Sequence, residues 1–436
     1  MTIRGATPAR IDRRRLIRGL GRRRAALLFG VGSLAADLAA DAYLVGGGVR
    51  DLLLDRRTTD LDLAIEGDAR EVGRRLARVE SGEYREHASF GTASVTLADG
   101  VRVDLAGTRC ERYPRPGELP RVAPSGLLDD LARRDFTVNS MALSLRPERF
   151  GRLVDPYDGA DDLRRGRLRV LHSRSFEDDP TRVARAMRLA ARLGFRVEPA
   201  TRRWMDACLG SGALARLSAA RRRREVELLF AESGWRAIAR TLHRHRAWSV
   251  IDRAVQPPPA AAAQLARIEH WYDWLTALAG FDPPPRWIAA LVRLTRDGTS
   301  SVRRDVVQRL APDRHARAML LSASVEARAL LARLRSVREP HPSTVLGAAA
   351  GISEAAWLEA LDRTRAGRTR GALVDFLRHG RGVRLDISGH DLERAGIPRG
   401  PRIAVGLAAA LAAKIDGNAA DRHRELEVAL VAARRA

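Results

Sequence analysis

Two hydrophobic periods divide this chain. Up to about residue 150, short alternations of apolar and polar residues are punctuated by glycine, proline and Asp-Gly; beyond Phe176, apolar residues recur every three or four positions in an Arg/Ala/Leu background. A period of two predicts half-buried strands, and the longer period predicts amphipathic helices. An Ala/Leu-rich helix from about Leu27 to Ala42 leads into a strand, Tyr43–Val45, then three glycines and a helical "VRDLLL". "DLDLAIE" reads as the next strand, and "ASVTLADGVRVDLAG" as a hairpin turning at Asp99-Gly100, a dipeptide that tolerates the positive φ of tight turns. Residues 111–128 carry four prolines and predict a loop. "DPYDGADDLRRGRLRVL" predicts a turn-rich connector, while "VQPPPAAAA" and "GFDPPPRW" break the helical region into pieces. The pattern implies a small α/β head followed by a long all-α remainder, without an internal repeat.

Composition narrows the class. At 436 residues the chain exceeds one compact core, so two to four domains are expected. No apolar run reaches the roughly 18–20 residues that span a bilayer. The basic start "MTIRGATPARIDRRRLIRGLGRRR" lacks the apolar centre of a signal peptide. Only Cys110 and Cys208 are present, which excludes a disulfide framework and a cysteine zinc site. A cytoplasmic protein with no membrane segment is expected.

Charge adds more. Lys+Arg 77 against Asp+Glu 53 gives a net +24, an imbalance that points to a polyanionic partner such as nucleic acid. Lys414 is the single lysine, so codon bias has shaped the composition. Bias accounts for arginine in place of lysine but not for the excess of cations over anions.

The candidate chemistry lies in the head. Side chains alternate along a strand, so Asp60, Asp62 and Glu66 of "DLDLAIE" share one face, and Leu61, Leu63 and Ile65 share the other. In "VRVDL" the same alternation buries Val101, Val103 and Leu105 and turns Asp104 outward. Were these strands neighbours, three carboxylates would converge. Like charges that close are costly unless a hard cation sits between them, and Mg²⁺ prefers such oxygen ligands. Two such ions can serve both the attacking and the leaving oxygen of a phosphoryl transfer. Alone, the pair reads as a solvated strand face. It is joined within seventeen residues by the turn Gly46, Gly47 and Gly48 and by Arg50. A glycine turn lets backbone N–H groups approach phosphate oxygens, and a guanidinium suits phosphate. Together these features point to metal-dependent nucleotidyl transfer.

Four blocks in residues 43–195, "YLVGGGVRDLLLDRRTTDLDL", "VDLAGTRCERY", "DLARRDFTVNSMAL" and "DDPTRVARAMRLAARLGF", resemble in order and spacing the class II tRNA nucleotidyltransferase and bacterial poly(A) polymerase family. Gly48 and Ser140 stand where that family usually has alanine. The resemblance implies a polymerase-β-like nucleotidyltransferase palm as head, then an all-α neck, body and tail. The corresponding divisions are a basic, poorly ordered arm (1–26), the head (27–150), the neck (151–235) and a tRNA-binding body and tail (236–436). It implies that Asp60 and Asp62 hold Mg²⁺, with Asp104 as third catalytic carboxylate. Gly46 and Gly47 would belong to the phosphate turn, Arg50 and Arg134 would bind the triphosphate, and Asp135 and Asn139 would line the ribose.

The helix "EDDPTRVARAMRLAARLGF" opens with acids and a proline, which are helix N-terminal signals. Asp179 and Arg182, three apart, are neighbours on it, and the plain reading is an ion pair worth a few tenths of a kcal/mol. Base chemistry suggests more. Cytosine and adenine each present an amino donor beside a ring-nitrogen acceptor, whereas guanine and uracil present a carbonyl beside an N–H. A carboxylate and a guanidinium side by side complement the first pair and oppose the second. The resemblance likewise implies that Asp179 and Arg182 form the family's amino-acid template, with Arg185 and Arg188 at the nucleotide. In "LSAARRRREVELLF", Arg221 and Glu225 fall at the usual polar positions of a later neck helix. "ISGHDLERAGIPRGPRIAVGLAAALAAKIDGN" resembles the family's late segment, and "HRHR", His243 with His245, reads as surface. The function implied is template-independent addition of C, C and A to tRNA 3′ ends from CTP and ATP. A-only or poly(A) addition by the same family, and a non-catalytic RNA-binding protein on a degenerate head, are the alternatives. The intact Asp60/Asp62 pair argues against the last.

Overall fold

The computed structural model describes residues 10–87, 91–232, 234–255 and 257–436. The chain divides into two compact units, one running to Arg222 together with Arg244–Val250, the other comprising Arg223–His243 and Ile251–Ala436.

The first unit begins with helices α1 (Arg13–Leu20) and α2 (Arg22–Asp37). The expectation of a poorly ordered arm is corrected from Arg13 onward. Its arginines are interrupted at helical spacing by Leu16, Leu20, Leu27, Leu28 and Val31, all buried, so the apolar stripe anchors a segment whose composition reads as solvated. Next come β1 (Asp41–Val45), α3 (Gly47–Leu53), β2 (Asp62–Glu66), α4 (Ala69–Val79), β3 (Glu83–His87), β4 (Thr92–Thr96) and β5 (Arg102–Gly107). The hairpin β4–β5 turns where Asp99-Gly100 predicts, with Gly100 at φ 79° and Thr96 opposite Arg102. The proline-rich stretch is not wholly a loop. It holds a two-stranded ribbon, β6 (Arg109–Arg112) and β7 (Arg121–Pro124), before α5 (Leu127–Ala132). Its prolines fall in the turn and at the strand end, where no ladder donor is lost.

Strands β8 (Ala142–Ser144) and β9 (Leu153–Val154) complete a seven-stranded mixed sheet of order β3-β4-β5-β2-β1-β8-β9. β2 and β5 run parallel, and the other pairs are antiparallel. Leu44, Leu63, Ile65, Val103 and Leu105 are almost wholly buried on one face, each such side chain contributing about 1.5–3 kcal/mol. On the other face Tyr43, Val45, Ala64 and Ala142 pack with Leu127 and Leu131 of α5. That helix covers only part of the face, and the uncovered part carries Asp62.

The unit continues through α6 (Gly159–Arg165), β10 (Arg167–Leu168), α7 (Ser175–Asp178), α8 (Thr181–Leu193), β11 (Arg196–Val197), α9 (Pro199–Gly210) and α10 (Ala219–Ala231), whose later turns belong to the second unit. α8 buries Val183, Met187 and Ala190, as the periodicity predicts, and ends on Gly194 in the left-handed conformation. His245 is buried against Arg202 rather than lying on the surface; His243 is exposed.

The second unit is helical, as the long period predicts: α11 (Trp235–Arg244), α12 (Ala261–Thr276), α13 (Arg286–Thr295), α14 (Ser300–Leu310), α15 (Arg314–Arg335), α16 (Pro342–Ala348), α17 (Glu354–Arg363), α18 (Arg368–Asp375) with a π-helical turn Phe376–Gly380, α19 (Gly389–Arg394), α20 (Pro401–Ile415) and α21 (Arg422–Arg435). Some of its arginine is internal: Arg296 bridges the buried Glu359 and Asp362 at 2.5 and 2.6 Å. Among the described residues no helix is long and apolar enough to cross a membrane.

Candidate active site

Strand order decides what the carboxylates do. In the parallel pair β2–β5, Asp62 lies opposite Asp104, and both line a cleft of about 400 Å³. Asp60 precedes the strand and is exposed. Enclosure in the cleft pushes the Asp62 carboxyl above its ordinary range, and the charges of Asp104 and Asp60 push it the same way; Arg134 and Arg102 oppose them. All three expected carboxylates therefore meet electrostatically. Asp104 is held on its far side, where Arg102 Nη2 donates to Oδ1 at 2.8 Å and Ser94 Oγ at 2.6 Å. Glu66, expected on the same face, turns away from the cleft chemistry: its carboxylate accepts from the Tyr43 hydroxyl and the Leu127 N–H. Among the described residues, no three His, Cys, Asp or Glu side chains close into a metal cage.

The same cleft is lined by Arg133 and Arg134. One carboxylate, Asp130, fixes both: its Oδ1 accepts from Arg133 Nε and Nη2, and its Oδ2 from Arg134 Nη2 at 2.9 Å. Burial acts to raise the Asp130 carboxyl, but the two guanidiniums outweigh it and hold it below the usual carboxylate range. Sequence reasoning named Arg134 and missed Arg133 and Asp130. Asp130 lies three and four residues before the arginines, a helical spacing that was there to be read.

The glycine turn adjoins this wall. Gly46 has φ 70°, and a Cβ on it would stand 3.0 Å from Arg134 Nη1. A Cβ on Gly47 would stand 3.3 Å from Arg50 Nη2. Two guanidiniums thus lie close to the bare backbone, and a side chain there would press on one of them.

Behind the turn runs a chain of hydrogen bonds. Arg50, 4% exposed, donates Nε and Nη2 to the adjacent Asp51 at 2.9 and 3.0 Å and Nη1 to Asn139 Oδ1 at 2.7 Å. Asn139 Nδ2 donates to Asp135 Oδ1 at 3.0 Å, and Arg185 Nε and Nη2 donate to Asp135 Oδ2 at 2.9 and 2.7 Å. Burial acts to raise the Asp135 carboxyl, yet Arg185 and Asn139 overcome it and keep it below its ordinary value. Four of the expected residues, Arg50, Asn139, Asp135 and Arg185, are in this way one linked group. Arg188 is half-buried one turn beyond Arg185 on α8.

Asp179 and Arg182 sit together at the start of α8 but not as an ion pair. Arg182 is 4% exposed and donates to Ser175 Oγ at 2.6 Å and to the Arg133 carbonyl at 2.8 Å, reaching the head. Asp179 Oδ1 accepts from the Thr181 N–H and hydroxyl and from Arg221 Nη2 at 2.8 Å. Arg221 also donates Nη1 to the Gly117 carbonyl at 2.6 Å, which ties the ribbon turn to the helix. Tyr113 of that turn feels both residues: burial pushes its phenol up to about 12, Arg182 opposes the rise, and Glu111 and Asp179 add to it.

Comparison with known proteins agrees with this geometry. Residues 42–169 match the Poly A polymerase head domain family. An A-adding tRNA nucleotidyltransferase of Geobacter sulfurreducens is 32% identical over 424 residues, 95% of this chain and 47% of that protein. A CC-adding tRNA nucleotidyltransferase of Deinococcus radiodurans is 44% identical over 156 residues, 36% of this chain and 42% of that protein. The chain spans about half the length of these curated relatives. Among solved structures, an apo CCA-adding enzyme superposes with a TM-score of 0.80 at 29% identity, covering 98% of this chain and 100% of that one. A Thermotoga maritima CCA-adding enzyme complexed with tRNA superposes with a TM-score of 0.75 at 29% identity, covering 98% and 99%. A head of this topology followed by helices, the paired carboxylates beside a glycine turn, and these likenesses agree: residues 42–169 form a Poly A polymerase head domain, in a chain similar along most of its length to A-adding and CCA-adding tRNA nucleotidyltransferases.

Proposed function

We propose that this protein is a tRNA nucleotidyltransferase that adds C, C and A to tRNA 3′ ends from CTP and ATP, without a nucleic-acid template, in the cytoplasm. The observation that carries the reading is the register of Asp62 with Asp104 in a cleft that Arg133 and Arg134 also line. The 3′-hydroxyl of the tRNA attacks the α-phosphate, a new P–O bond forms, the α–β bridging bond breaks and pyrophosphate leaves. Arg134 beside Gly46, and Arg50 beside Gly47, carry the triphosphate charge, and Asp130 and Asp51 keep those guanidiniums aimed. Asp135 and Asn139, locked by Arg185 and Arg50, present a fixed polar edge to the ribose. Asp179 and Arg182 select the base, with Arg185 and Arg188 at the same nucleotide.

The residues fit a divalent cation. Asp62 is raised by enclosure and like charge, a penalty a cation would relieve, and Mg²⁺ commonly takes one or two carboxylates and completes its shell with water and phosphate oxygens. Asp60 and Asp62 would hold it, with Asp104 beside them as the third carboxylate; bound there, Mg²⁺ would supply positive charge to the reacting oxygens. The name of the Geobacter relative favours a second reading, addition of A alone.

Three tRNA transcripts, ending at the discriminator base, in C and in CC, separate the readings when each is given labelled CTP or ATP alone. The proposal expects CTP to label the first two and ATP the third. Labelling of the CC-ended transcript alone establishes the A-only reading, and labelling of none overturns both.

A further inference from the structure

The net charge of +24 asks where an RNA backbone would lie, and the second unit contains one built candidate. Helix α12 carries Trp271 and Trp274 one turn apart, their rings edge to face with centroids 5.7 Å apart. Arg370 lies over Trp271 at 5.5 Å and Arg378 over Trp274 at 5.4 Å. Arg381 lies over Phe281, just past the same helix, at 4.7 Å. Such distances are those of cation–π stacking. All three arginines come from one short segment: Arg370 from α18, Arg378 from the π-helical turn that follows it, and Arg381 from the residue that caps that turn.

Three facts distinguish this group from the many surface arginines elsewhere. First, the other arginines found over aromatic rings, Arg74 and Arg286, are also paired with carboxylates, whereas among the described residues no carboxylate stands within ion-pair distance of Arg370, Arg378 or Arg381. Second, the turn is π-helical, closed by the Arg381 N–H donating to the Phe376 carbonyl five residues back at 2.8 Å. Turns of that kind are rare and recur at functional sites. Here it brings Arg378 and Arg381 to the aromatic row together. Third, the row has firm support: Phe376, which opens the turn, stacks on Trp357 of α17 at 5.8 Å and 19°.

A guanidinium that lies over a ring and has no carboxylate partner can still donate from those N–H groups that reach solvent. Arg378 and Arg381 are exposed, and Arg370 is half-buried, its Nε enclosed. Planar forks pre-oriented in this way match phosphodiester oxygens and lose little freedom on binding. We infer that Arg370, Arg378 and Arg381, stacked on Trp271, Trp274 and Phe281, form a binding site for the phosphate backbone of RNA. The identification of that RNA with tRNA rests on the function proposed above.

The test compares the full-length chain with the triple variants Arg370→Ala/Arg378→Ala/Arg381→Ala and Arg370→Lys/Arg378→Lys/Arg381→Lys in equilibrium binding to a tRNA transcript between about 50 and 200 mM salt. The alanine variant should bind at least tenfold more weakly, with a slope of log K against log salt shallower by about 2–3, because three phosphate contacts release correspondingly fewer counterions. The lysine variant should keep most of the slope while losing part of the affinity, since its charge remains and its planar fork does not. Wild-type affinity and slope in the alanine variant, with only a lower melting temperature, would overturn the inference and leave the stacks as packing. The two proposals fail separately. A wild type that adds nucleotides but binds tRNA with no salt dependence contradicts this surface alone. A wild type that adds nothing, yet loses salt slope in the alanine variant, supports this surface and overturns the catalytic reading.

Discussion

On the proposed function, Asp60→Ala and Asp62→Ala should each abolish nucleotide addition and leave tRNA binding nearly intact. The loss should be total because, on the proposed mechanism, the paired oxygens serve the reacting centre itself, and the other two carboxylates are already engaged: Asp104 is held by Arg102 and Ser94, and Glu66 by Tyr43 and Leu127. Stability should move the other way. Asp62 carries unfavourable charge from Asp104 and Asp60, so removing one member of the set relieves like-charge repulsion. Each variant should melt at or above the wild-type temperature while its activity is gone. A dead and destabilised protein would point instead to a structural role for the strand. More than a few per cent residual activity in a well-folded variant would contradict the carboxylate assignment.

The second large effect concerns base choice. Arg182→Ala should weaken discrimination against U and G, and Asp179→Ala should lose the preference for an amino group. A hydrogen bond to a charged partner is worth roughly 1.5–3 kcal/mol, or about ten- to a hundredfold in selectivity. The plain alternative, an ion pair between the two, has no contact to support it, since Asp179 is bonded to Arg221 and Arg182 to Ser175 and the Arg133 carbonyl. Those bonds do mean that Arg182→Ala loosens the start of α8 as well. Ser175→Ala supplies the control, because it removes one anchor of Arg182 but leaves the guanidinium in place. Incorporation of each of the four ribonucleotides, with melting temperature alongside, separates the cases. If Asp179→Ala and Arg182→Ala still add only C and A at near wild-type ratios, the template lies elsewhere.

What could be read from the sequence was local. Alternation in "DLDLAIE" correctly buries Leu61, Leu63 and Ile65, and Asp99-Gly100 turns where its chemistry demands. The long period marks the helical remainder, and the acids and proline before Thr181 mark the start of α8. Even the clamp of Asp130 on Arg133 and Arg134 is a helical spacing. What stayed hidden depends on contacts across the chain. That Asp62 faces Asp104 follows from the parallel pairing of β2 with β5, which no local signal specifies. Arg221 meets Asp179 across 42 residues, and Asn139 meets Arg50 across 89. Glu66 shares the parity of Asp62 but is capped by Tyr43 because α5 folds over that end of the strand. The basic arm misled for a different reason: its charge outnumbers its leucines, yet the leucines fall on one stripe and decide the fold.

The most direct measurement of the central claim is to sequence the 3′ ends of a tRNA transcript lacking its last three nucleotides after incubation with the protein, Mg²⁺ and all four ribonucleotides together. The account predicts that extended molecules end in CCA and stop there, with U and G absent. Unextended ends, or extensions carrying U or G, would contradict it.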